Sequence, residues 1–196
     1  TAAQQPTVSG GTDVQVSLEE EYPHVEPHLV VDPTDPTRLV AAAMTLPEAG
    51  EGFAIGVYVS DDGGRSWRGG PLTSRETGSV GEGDDPWLAF AGDGTLHLVH
   101  LPGMVWRSDD GGESWVGPVR LPRGEEGPYD SPHLAVDRSK GAHDGRIYVA
   151  VTQSRSAESR DPGRALAILK SADGGRSFDR PVHVQPNDFA NKGGDA

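Results

Sequence analysis

Ser60-Asp61-Asp62-Gly63-Gly64-Arg65-Ser66-Trp67 decides how this chain is read, because it returns as Ser108-Asp109-Asp110-Gly111-Gly112-Glu113-Ser114-Trp115 and as Ser171-Ala172-Asp173-Gly174-Gly175-Arg176-Ser177-Phe178. The shared pattern, S-x-D-G-G-x-S-[W/F], fixes six of eight positions in each copy. Its chemistry is that of a tight turn. Paired glycines permit positive φ, and the Asp carboxylate and Ser hydroxyls can accept bonds from turn N–H groups. The aromatic that follows can pack back on the preceding strand. A calcium loop is the poorer reading, since the alternating ligands and distal Glu of an EF-hand are missing. Ser60, Asp62, Gly64, Trp67, Ser108, Asp110, Gly112, Trp115, Ser171, Asp173, Gly175 and Phe178 are therefore assigned a structural role.

A second pattern precedes each copy: Glu26-Pro27-His28-Leu29-Val30-Val31-Asp32, Asp85-Pro86-Trp87-Leu88-Ala89-Phe90 and Ser131-Pro132-His133-Leu134-Ala135-Val136-Asp137. A turn rich in Asp, Gly or Pro follows, then a second apolar run (39–44, 96–101, 147–152). A third run (55–59, 105–107, 166–170) leads into the aspartate turn, and a short fourth comes after it, as at 116–121 and 181–184. Four short strands per unit, divided by turn residues, are the signature of a propeller blade. Helical periodicity is nearly absent, and the blocks of Val, Ile, Leu and Ala suit strands buried between neighbouring sheets.

The S-x-D-G-G-x-S-W segments resemble Asp-box repeats, also called bacterial neuraminidase repeats, and with their strands cover nearly all of residues 26 to 186. The resemblance implies an all-β fold: a sialidase-superfamily β-propeller of four-stranded antiparallel blades, with each Asp box in the hairpin between third and fourth strands, on the rim and far from the active site. Blades are expected at about 25–73, 84–122 and 130–186. Residues 1–24 form an N-terminal segment, with 14–18 a candidate closing strand, and 187–196 read as the start of a fourth blade because Gly193-Gly194-Asp195 echoes Gly81-Glu82-Gly83-Asp84. Three blades are fewer than the four to eight of typical propellers. The expectation is an N-terminal portion, half of a six- or seven-bladed ring, completed by further blades of the same chain or by self-association.

Composition narrows the partners. The 196 residues carry a net charge of −13, with no Cys, 27 Gly and 16 Pro. An acidic surface is wrong for a nucleic-acid backbone or an anionic membrane. Without Cys there is no disulfide or thiolate metal site. No two His stand at a zinc spacing such as H-x-x-x-H, so neither metal nor cofactor is expected. No run reaches the roughly 18 apolar residues of a membrane span. The small, polar start, Thr1 to Gly11, suits the mature end of an exported protein, and an extracellular or periplasmic location is expected.

In propellers the innermost strand of each blade lines the channel, and the loop leading into it opens on the binding face. That places Glu26 and His28, Asp84, Asp85 and Trp87, and Tyr129, Asp130 and His133 at the mouth. Carboxylates that bond hydroxyls and rings that stack on pyranoses suit a sugar. Asp85 and Asp130, from adjacent units, are the first candidates for an acid/base pair, with Glu26 the third. His28, Asp84, Trp87, Tyr129 and His133 are expected to touch the ligand. The sialidase reaction itself is not expected. Active sialidases carry a Phe/Tyr-Arg-Ile-Pro motif whose Arg begins a three-Arg carboxylate clamp, whereas the only Arg-Ile here is Arg146-Ile147, followed by Tyr148. The expected function is glycan-directed, as a carbohydrate-binding module or a glycoside hydrolase whose site is incomplete in this chain; the alternative is a non-catalytic scaffold or assembly factor. Glu19-Glu20-Glu21 and Glu125-Glu126 read as solvated loop charges, and Ser154 to Arg164 as a polar insertion within the third unit.

Overall fold

The computed structural model describes residues 13–17, 23–46, 52–123, 127–154 and 164–184. Its strands are β1 His24–Val31, β2 Leu39–Thr45, β3 Ala54–Ser60, β4 Arg68–Pro71, β5 Trp87–Phe90, β6 Leu96–His100, β7 Met104–Ser108, β8 Val116–Arg120, β9 Tyr129–Val136, β10 Ile147–Ser154, β11 Arg164–Ser171 and β12 Val182–His183. They form three four-stranded antiparallel sheets, β1 to β4, β5 to β8 and β9 to β12, each with its strands in chain order. No helix occurs among the described residues. The fold is a partial β-propeller of three blades. Residues 13–17 are irregular. The rest of the N-terminal segment, both acidic runs, most of the 154–164 insertion and the expected start of a fourth blade lie outside the described residues.

Each aspartate turn closes the hairpin between third and fourth strands by one bonding scheme. Ser60 Oγ donates to Asp62 Oδ1 at 2.8 Å and accepts from Gly64 N–H at 2.9 Å. The same carboxylate oxygen accepts from Arg65 and Ser66 N–H, and Ser66 Oγ donates to Oδ2. Ser108 with Asp110 and Ser171 with Asp173 repeat the scheme. The Ser66 hydroxyl and N–H hold Asp62 well below the usual carboxylate range, and the Ser177 hydroxyl and N–H pull Asp173 down to about 2. These carboxylates are fully engaged in turn geometry.

Register separates the two ends of each blade. Ser60 pairs with Leu39 and Leu39 with Val31, so the first aspartate turn lies beside the C-terminal end of β1. Glu26 and His28 stand toward the opposite end, and at about 3.4 Å rise per residue several residues of strand separate the two. In β1, Val25 pairs with Met44 and His28 with Ala42, leaving Glu26 and Pro27 opposite Ala43 alone. In β9, Asp130 pairs with Thr152 and His133 with Ala150, leaving Ser131 and Pro132 opposite Val151. Both are β-bulges, and a bulge on an edge strand is where a sheet tolerates proline.

The blades stack face to face. One cluster joins Val40, Ile55 and Val57 of the first sheet to Leu88, Leu98 and Trp106 of the second. Another joins Val99, Val105 and Leu121 of the second to Leu134, Ile147 and Leu169 of the third. The middle sheet is thus covered on both faces, which holds β1, β5 and β9 side by side and brings the bulges of β1 and β9 next to the lead-in of β5.

Candidate functional site

A cavity of about 230 Å³ opens where the three inner strands meet, walled by three matching tripeptides: Glu26-Pro27-His28, Asp85-Pro86-Trp87 and Ser131-Pro132-His133. Proline in each fixes φ and removes an N–H that would otherwise need a partner. The residue before it is left-handed in every case, with φ 54° at Glu26, 49° at Asp85 and 48° at Ser131. The left-handed turn of the backbone re-aims these side chains toward the mouth, and the ring residue two positions on follows them in.

The rings form one stack across the blades. The Trp87 indole lies between the imidazoles of His28 and His133, each with its centroid 4.0 Å from that of Trp87 and interplanar angles of 32° and 21°. Both faces of Trp87 are therefore occupied, and a sugar cannot stack on it as expected from sequence. His28 Nδ1 accepts from Leu88 N–H at 3.1 Å, so the neutral ring carries its proton on Nε2. Burial chiefly, and then the charge of His133, lowers the pKa of His28, keeping it a neutral donor.

Among the carboxyls, Asp85 and Glu26 form the pair. Asp85 N–H donates to Glu26 Oε2 at 3.0 Å. The Asp85 carboxyl is pushed up to about 6, first by burial, then by its hydrogen bond to Glu26 and the charges of Glu26, Asp84 and Asp130. Asp84 is raised for similar reasons, burial first and Glu26 next. A carboxyl whose pKa is raised by burial and a neighbouring carboxyl is the arrangement of an acid poised to donate below about pH 6, and such a proton belongs to the pair. Among the described residues, no Arg or Lys lines the cavity.

Several residues expected at the mouth stand elsewhere. Asp130, proposed as the partner of Asp85, acts on it through charge alone, and the hydrogen-bonded partner is Glu26. Neither Asp84 nor Asp130 is part of the cavity wall. Tyr129 is 4% exposed, packed with Leu134 and Val151, and its hydroxyl donates to the Pro122 carbonyl. It is a core residue between blades. Ser131 was missed, although its place before Pro132 aligns it with Glu26 and Asp85. Arg38 and Arg75 are tied to the second aspartate turn, through the Asp110 carbonyl and the Ser114 hydroxyl.

The fold and mouth define a class: a partial β-propeller whose inner strands converge on an acidic, ring-lined cavity. Solved structures similar in fold include a protein of unknown function from Dyadobacter fermentans, with TM-score 0.62, 20% identity, and 87% of this chain matched to 57% of that one. The GH93 α-L-arabinofuranosidase of Fusarium graminearum, solved with arabinobiose, gives TM-score 0.59 and 13% identity over 89% of this chain and 53% of its own. A Hadza microbial sialidase gives 0.55 and 19% over 81% and 37%. At these identities the likeness is one of fold, and this chain spans between a third and three-fifths of each. No family model and no curated protein matches the sequence.

Proposed function

We propose that this chain is part of a glycan-directed, sialidase-like propeller with Asp-box turns, whose mouth takes a neutral sugar, and that Asp85 is its general acid, its pKa raised by burial and by Glu26. The observation that carries this reading is the Asp85–Glu26 pair in a cavity that no Arg or Lys lines among the described residues. A carboxylate sugar needs guanidinium groups held for bidentate contact, and repulsion from this mouth opposes it. Neighbours named for glycosidic substrates, the arabinofuranosidase and the sialidase, lend support by fold. An extracellular or periplasmic setting fits such a substrate.

The test is turnover and binding of 4-nitrophenyl glycosides of neutral pyranoses and furanoses, with an α-sialoside alongside. Hydrolysis of a neutral glycoside, falling about 100-fold or more in Asp85→Asn and declining as pH rises through about 6, supports a hydrolase. Saturable binding without turnover, weakened modestly by Asp85→Asn, makes the mouth a binding module. Cleavage of the sialoside alone, or indifference to Asp85→Asn, overturns the proposal.

A further inference from the structure

Glu26, Asp85 and Ser131 repeat one conformation at one place in three successive blades, and that conformation is unfavourable. A residue with a Cβ is uncommon at positive φ, and a following proline pushes the backbone toward extended forms. Lys140, at φ 58°, is the other described non-glycine residue of this kind, and it lies in a loop with no proline after it. Glycine takes positive φ without strain and does so at each aspartate turn, as at Gly63, Gly111 and Gly174. Strain retained at matched positions around one cavity points to use of the side chains there.

Two of the three carry carboxyl groups. The third carries a hydroxyl, exposed and with only a 3.5 Å approach to Asp130 Oδ1. Because the second blade stands between the first and the third, Asp85 has Glu26 on one side and Ser131 on the other. A carboxyl can donate only while it holds its proton and merely accepts once ionised, whereas a serine hydroxyl both donates and accepts at any pH. A sugar hydroxyl needs both.

We propose that Ser131 is a ligand-contacting residue that sets specificity for an uncharged sugar, its hydroxyl bonding a sugar hydroxyl beside Asp85 on the side away from Glu26. This rests on the functional reading above. A third carboxylate at this position would turn the cavity toward cations; the hydroxyl keeps it open to a neutral polyol.

Ser131→Ala removes the hydroxyl and keeps the strained backbone. Ser131→Gly removes the hydroxyl and relieves the strain. Both are compared with wild type and Asp85→Asn in thermal melts and in binding and turnover of the neutral 4-nitrophenyl glycoside that wild type handles best. Both serine variants should weaken binding about 5- to 10-fold, with kcat falling far less than in Asp85→Asn. Ser131→Gly should also raise Tm by about 2–4 °C, the shift expected for roughly 1 kcal/mol in a chain of this size. Unchanged affinity in Ser131→Ala overturns the assignment while leaving the functional reading intact. A lower Tm in Ser131→Gly overturns it too, because the side chain would then be structural. Wild type that neither binds nor cleaves any neutral glycoside overturns the functional reading and this inference with it.

Discussion

His97 and His100 stand in the middle blade at 2% and 1% exposure, and their titration sets how the folded chain responds to acid. His100 donates from Nδ1 to the Leu101 carbonyl and accepts the Trp106 indole N–H on Nε2, so a second proton would break the bond to Trp106. His97 Nδ1 is buried without a partner. Burial lowers both to about 4, with Arg107 adding to the effect on His97. Their unfolded value is near 6.5. As pH falls from 6.5 toward 4, the unfolded chain takes up protons the folded chain refuses. Each histidine then removes about 1.4 kcal/mol of stability per pH unit. Asp85 works in the other sense. Its folded value, about 6, lies above the ordinary 3.8. Below 6 it binds a proton in the folded chain before the unfolded chain does, so its contribution to stability grows as pH drops. Urea unfolding across this window should show wild type losing stability toward pH 4, and Asp85→Asn starting more stable near neutrality and losing stability more steeply. Equal slopes in the two proteins would mean that Asp85 titrates normally in the folded state.

At the scale of strands, Gly83 decides where Asp84 and Asp85 stand. Its φ is 148°, and a Cβ there would overlap the Leu101 carbonyl oxygen and press on the His100 ring. That close approach accompanies the bond from Leu101 N–H to the Asp84 carbonyl, which ties the lead-in of β5 to the end of β6. Gly83→Ala should push this lead-in away from the second blade and carry Asp85 from Glu26. The upper pKa of the mouth, followed by carboxyl NMR, should fall toward the ordinary aspartate range, with glycoside binding weakened in step. An unshifted Asp85 titration would show that the lead-in absorbs the methyl without moving the site. Strands of this kind were legible in the sequence because blocks of Val, Ile, Leu and Ala between Gly, Asp and Pro turns leave little other choice. The bulges were not, since they exist only in the pairing of one strand with the next. Their effect on Tyr129 follows directly: counting by twos from His133 puts Tyr129 on the same face, but the extra residue at Ser131-Pro132 reverses the alternation and sends the ring into the core beside Leu134. Ser131 escaped notice for a related reason. As a residue type it suggests no chemistry, and only its backbone and neighbours mark it.

Across the whole molecule, equivalent positions in successive blades show what the stack covers and what it leaves open. In the middle blade, Leu88 and Phe90 are 1% and 3% exposed beneath the first blade. Their counterparts in the first blade, Leu29 and Val31, are 53% and 49% exposed, and Leu29 lines an apolar groove of about 400 Å³ with Ala41, Tyr58 and Trp67. The third blade leaves its far face open in the same way, with Leu166 and Val182 exposed. The packing that joins the first blade to the second and the second to the third would therefore accept a further blade at either end, and uncovered sheet faces recruit partners. In this chain, at micromolar concentration and above, the expected result is self-association through these faces. The double substitution L29T with V31T keeps β-favouring, branched side chains while removing apolar area that is already half in water. It should weaken association in sedimentation velocity by about 10-fold or more, yet leave Tm within a few degrees of wild type, because neither side chain belongs to a buried cluster. A wild-type chain that sediments as a monomer at every concentration would show that the open faces are satisfied within one molecule, and the first place to look would be the segment around Val16 and Ser17, which already borders the groove.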